Sequence, residues 1–97
     1  MAERAWELAP GSPWIADTLG WIIASQGDAA NAVQYLQLAV TGMPDDPAAQ
    51  YHLASALRRI NKPNDARAML QKALASKNDF ESRADAKQLL DRLTATK

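Results

Sequence analysis

PWIADTLGWIIASQGDAANAVQYLQLAVTGMP, residues Pro13 to Pro44, decides the fold. Two amphipathic runs meet at Gly27-Asp28. Ser12 suits the N-cap of the first run, with Pro13 at the first helical position, where the missing N–H costs nothing. Gly27 supplies the left-handed residue that ends a helix, and Asp28 caps the next one. Further along the chain the pattern returns. Leu19-Gly20 comes back as Leu53-Ala54, Ala32 as Ala66, Leu36 as Leu70 and Ala39 as Ala73, each 34 residues on. A helix–turn–helix unit at a fixed period cannot bury its apolar face alone, so copies stack. The fold class is all-α, an α-solenoid of antiparallel helix pairs.

The first helix is expected over Trp14–Gln26, with Ile15, Leu19, Ile22, Ile23 and Gln26 as its buried stripe. The second runs over Ala29–Thr41, with Ala32, Leu36, Ala39 and Val40 facing inward. Gly20, Ala32 and Ala39 are small enough for the paired helices to approach closely. Asp46 caps a third helix over Ala48–Ile60, whose inner face is Leu53, Ala54, Leu57 and Ile60. Asn61 takes the place of Gly27, as the residue after glycine that best tolerates a left-handed turn. Pro63 falls near the start of a fourth helix, Asn64–Ser76, with Ala66, Leu70, Ala73 and Leu74 inside. The last helix, Phe80–Thr94, puts Gln88 where Gly20 and Ala54 stood. Its apolar residues Phe80, Ala84, Ala86, Leu89, Leu90 and Leu93 oppose a charged side, which suits a terminal cap. At the other end Ala5 lies 34 before Ala39 and Pro10 lies 34 before Pro44. A short helix over Ala2–Ala9 then reads as the end of a repeat cut from a longer solenoid. The units are 1–12, the tail of that upstream repeat; 13–46 and 47–80, two full repeats; and 81–97, a C-terminal capping helix.

The strings Ala16-x2-Leu19-Gly20-x2-Ile23, Ala32-x3-Leu36, Pro44, and Gln50-x2-Leu53-Ala54-x2-Leu57, Ala66-x3-Leu70 resemble the tetratricopeptide repeat. The motif's aromatic positions are filled here by smaller or aliphatic residues, and the resemblance covers nearly the whole chain. More narrowly, Asp17-Thr18-Leu19-Gly20-Trp21, Gln26-Gly27-Asp28, Pro44-Asp45-Asp46-Pro47, Tyr51-His52-Leu53-Ala54 and Phe80…Leu89-Leu90 resemble the C-terminal repeats of bacterial tetratricopeptide lipoproteins of the exosortase (PEP-CTERM) and exopolysaccharide systems. That likeness implies an envelope location for the parent, whereas the chain itself leaves the compartment open.

Lys+Arg and Asp+Glu balance at 11 each, which gives no electrostatic case for nucleic acid. With no cysteine and one histidine, disulfides, thiolate metal sites and cysteine nucleophiles are excluded. No phosphate-cradling glycine loop appears, and the spacing of Asp17, Ser25 and His52 marks no hydrolase triad. No enzyme and no cofactor are expected. Nothing approaches the ~20 apolar residues of a membrane-spanning helix, so no direct membrane contact is expected.

The resemblance implies a protein-interaction module that binds a peptide or protein segment along the first helices of its repeats. It places Trp14, Asp17, Trp21, Ala24 and Ser25 on the concave face. One repeat on, it adds Ala48, Tyr51, Ser55, Arg58 and Arg59, with His52 at the edge. Aromatics beside arginines suit an extended peptide and its carboxylates. The alternative is a structural cap of a longer solenoid whose binding surface lies upstream. Trp6, Trp14 and Trp21 all fall near the N-terminal end, so a monomer with weak two-fold self-association through that end is expected.

Overall fold

A computed structural model of the chain describes residues 12–77 and 80–95. Among the described residues five helices follow one another: α1 Pro13–Ser25, α2 Ala29–Gly42, α3 Pro47–Arg59, α4 Pro63–Leu74 and α5 Arg83–Ala95. The expected Ala2–Ala9 helix and Trp6 lie outside the described residues.

Each start and stop has a local cause. Ser12 Oγ accepts from the Ile15 amide, Asp28 from the Asn31 amide and Asp46 from the Ala48 amide, and each satisfies a first-turn donor. Pro13, Pro47 and Pro63 all open helices. Gly27 and Asn61 carry positive φ, 93° and 63°. Around them the hydrogen bonds repeat: Gly27 N to Ala24 O and Asp28 N to Ile23 O in one turn, Asn61 N to Arg58 O and Lys62 N to Leu57 O in the other. Both turns therefore close on the same carbonyls, one repeat apart.

Packing follows the small residues. Leu19, Leu36, Leu53 and Leu70 are fully buried, and alanines at 16, 32, 39, 49, 54, 56, 66 and 73 are closed off around them. At Gly20 the approach of α2 is so close that a Cβ would stand 2.5 Å from Leu36 Cγ and 3.2 Å from the Ala32 carbonyl oxygen. α1 pairs with α2 and α3 with α4, while α2 packs on α3 and α4 on α5.

Several expectations need correction. Ile22 is 40% exposed and Gln26 is exposed, so the stripe of α1 runs instead through Ala16, Leu19, Gly20 and Ala24, with Ile23 half-buried beside it. α4 ends at Leu74 rather than Ser76, and Ala84 on α5 is exposed. α5 starts at Arg83, 36 residues after Pro47, rather than at Phe80. The α4–α5 connection is longer than the turn between α2 and α3, which slips the register by two. Ala86, Leu89 and Leu93 therefore stand 36 after Gln50, Leu53 and Leu57, and Leu90 rather than Gln88 takes the place of Ala54. Arg83 secures this connection by donating to the carbonyls of Leu74 (3.2 Å) and Ser76 (3.0 Å), with its guanidinium over the Phe80 ring.

Candidate functional site: the α1–α3–α5 groove

Two contacts fix how α1 lies beside α3. His52 donates from Nδ1 to Asp17 Oδ1 at 2.8 Å, and Arg59 donates from Nη1 to the Ala24 carbonyl at 2.7 Å. Both partners are one repeat plus one residue apart, so the two helices run parallel in matched register. Arg59 adds a side-chain donor to the Ala24 carbonyl in the last turn of α1, which also accepts from the Gly27 amide. The imidazole of His52 stacks on Trp21, with centroids 4.2 Å apart and planes tilted 26°. Tyr51 completes an aromatic platform, 6.2 Å from Trp21 and 6.0 Å from His52.

On this platform the three parallel helices leave a groove of about 270 Å³. It is lined by Trp21 from α1; Tyr51, Ser55, Arg58 and Arg59 from α3; and Asp85, Gln88, Leu89 and Arg92 from α5. Burial and the Asp85 carboxylate push the Tyr51 phenol above its ordinary 10.0, with the Arg59 and Arg58 guanidiniums pulling the other way. The hydroxyl is thus held neutral at physiological pH, able both to donate and to accept.

The expected site residues divide into three groups. Trp21, Tyr51, Ser55, Arg58 and Arg59 line the groove together. Asp17 and His52 sit beneath as the clasp between α1 and α3, with side chains only 17% and 18% exposed. Trp14 and Ser25 stand apart from the lining. Trp14 is 73% exposed at the start of α1, and the Ser25 hydroxyl donates to the Trp21 carbonyl at 2.9 Å.

Asp85, Gln88, Leu89 and Arg92 are groove residues that the capping reading passed over. A signal was available, because Asp85, Gln88, Leu89 and Arg92 fall on the three-four spacing of one helix face.

A second cavity, about 440 Å³, lies between Asp45, Gln50, Lys72, Ala75, Ser76 and Lys77. Gln50 is buried there and donates from Nε2 to the Pro44 carbonyl at 2.6 Å, which leaves Oε1 without a partner. That oxygen has almost no accessible surface, so a molecule in the cavity does not reach it.

Residues 24–93 match the family model described as tetratricopeptide repeat, a match that runs through the groove-lining residues of α3 and α5. Comparison with curated proteins gives no match. The family is one of helical repeats that mediate protein–protein contacts rather than chemistry, and its members present extended concave surfaces. With two turns that repeat bond for bond at 34 residues and a match over most of its length, the chain belongs to the tetratricopeptide repeat family.

Proposed function

We propose that the chain binds an extended segment of a partner protein in the groove between α1, α3 and α5. One observation carries this reading: side chains from three separate helices converge on one open groove with an aromatic floor and a polar rim. Trp, Tyr and Arg are the side chains that contribute most to protein interfaces when truncated. Ser55, Gln88 and the Tyr51 hydroxyl offer both donors and acceptors to the backbone of an extended chain. The test is a peptide-display selection against the chain, followed by titration of the enriched peptides. Trp21→Ala and Tyr51→Ala should each weaken binding about tenfold or more while leaving helix content intact. If selection enriches nothing, or Trp21→Ala binds as well as the parent, the groove is not the binding surface.

The alternative reading is a terminal segment of a longer solenoid that binds elsewhere. The outer face of α1 supports it. Ile15, Thr18 and Ile22 occupy the positions that Ala49, His52 and Ala56 hold in α3, where α1 covers them. On α1 the same face is open, with Ile22 exposed. Binding of the selected peptides to the chain alone, lost in Trp21→Ala, would exclude this alternative.

A further inference from the structure

The charges of the groove are not scattered along it. α3 carries Arg58 and Arg59 in its last turn, and α5 carries Arg92 in its last turn and Asp85 in its first. Tyr51, Ser55 and Arg58 from α3 and Asp85, Leu89 and Arg92 from α5 line the same groove, and α3 and α5 run in the same direction because each packs antiparallel to α4. The three guanidiniums therefore gather at one end of the groove. Asp85 stands about 10 Å away at the other, two turns back along α5 at ~1.5 Å per residue. Tyr51 stands toward the Asp85 end, two turns before Arg58 on α3, and Trp21 packs beside it with ring centroids 6.2 Å apart. The fields of Arg58, Arg59 and Asp85 all reach the Tyr51 hydroxyl, which puts them around one site. The lining carries a net charge of +2 in a chain whose overall net charge is zero.

From this polarity we infer that the partner is an acidic extended protein segment, with Asp or Glu side chains at the Arg58–Arg92 end and an aromatic or aliphatic side chain against Trp21 and Tyr51. The inference rests on the groove reading above and names its partner's chemistry. Several side-chain carboxylates fit better than one chain-terminal carboxylate, because the guanidiniums come from two helices and their charge exceeds one. Arg59 keeps one N–H on the Ala24 carbonyl, which holds its fork in place and leaves further donors of its five for a carboxylate. Asp85 sets direction. A segment laid in reverse would bring its acidic residues against a like charge, so the groove accepts one orientation. Because the chain as a whole is neutral, attraction comes from the lining alone and falls off within about 10 Å at ordinary salt.

The experiment uses the whole chain and three short peptides blocked at both ends, identical except that their charged positions hold Glu, Gln or Lys around one central Phe. Calorimetric titration at low and high salt should show the Glu peptide binding about tenfold tighter than the Gln peptide, a margin that shrinks as salt rises. Arg58→Gln and Arg92→Gln should each erase most of that margin, whereas Trp21→Ala should weaken the Glu and Gln peptides alike. All three substituted residues are at least partly exposed, and circular dichroism of the variants checks that the helices persist. If the Lys peptide binds as well as the Glu peptide, or the arginine variants leave the margin unchanged, the acidic-segment inference fails while the groove reading stands. Tight binding of only a phosphoserine version, of single-stranded RNA, or of a Gln peptide with a free C-terminus would likewise overturn it. If Trp21→Ala changes binding of none of the peptides, the groove reading itself fails.

Discussion

At Gly20 a side chain would collide with Leu36 Cγ at 2.5 Å, whereas at Gly27 nothing lies within 4 Å and the obstacle is φ of +93°. The two glycines therefore fail differently on substitution. Gly20→Ala gains ~1 kcal/mol of helix propensity but forces Leu36, which is fully buried, to move. Overpacking of that kind costs about 1–3 kcal/mol, so urea unfolding should show a net loss. Gly27→Ala meets no atom and should lose about 1 kcal/mol from backbone conformation alone. Leu53→Ala leaves a cavity among closed-off neighbours and should cost ~2–5 kcal/mol. A third residue responds to alkali. The Tyr51 phenol is raised above its unfolded value, so the neutral form is the one the fold favours. Its contribution is complete below pH 10 and is lost as pH climbs through the raised value. Ultraviolet titration should show a late tyrosinate component that Tyr51→Phe removes. Single residues of this sort were largely readable in advance. Gly20, Gly27, Asp28, Asp46 and Asn61 each sit where local sterics or an orphan amide admits few alternatives. Ile22 was not readable, because its exposure depends on what lies against the outer face of α1, which no periodicity within α1 contains.

Between elements, the α1–α3 joint is held by Asp17 with His52 and by Arg59 with the Ala24 carbonyl. A double-mutant cycle on Asp17→Ala and His52→Ala should return a coupling of about 1 kcal/mol, the usual net worth of a hydrogen bond that is largely out of water. Coupling near zero would mean that the Trp21 stack alone aligns the helices. α5 has two tasks. It covers the half-buried Leu74 side of α4, and it supplies one wall of the groove. Truncation after Lys77 should therefore cause aggregation, seen by light scattering, and should also abolish peptide binding. Helix pairs and caps follow from spacing, so four helices were placed to within two residues. The fifth was misjudged because Gln88 breaks a strict 34-residue pattern. The cause is length in the preceding connection, which shifts the whole of α5 by two residues relative to α3. Reading α5 as a cap hid Asp85, Gln88, Leu89 and Arg92.

Taken whole, the molecule has unlike ends. Among the described residues α5 stands at one end, and at the other the outer face of α1 carries the exposed Ile22 and the prominent Trp14. Sedimentation across a concentration series should show a monomer that self-associates weakly through this face, and Ile22→Glu should abolish the association. A parent chain that stays monomeric throughout would rule the contact out. The matched turns carry a further consequence, in the history of the gene. The faces that meet at each joint occupy the same positions in successive copies, and the stretch from Pro13 to Asp46 spans one period from N1 proline to N-cap aspartate. A tandem duplication of that segment stays in register. It adds one helix pair and one more wall to the groove, with Ile22 in the seat of Ala56 setting the new joint slightly wider. The reach of such a protein along its partner is then a matter of copy number, open to change by unequal crossing-over without any new fold having to be found.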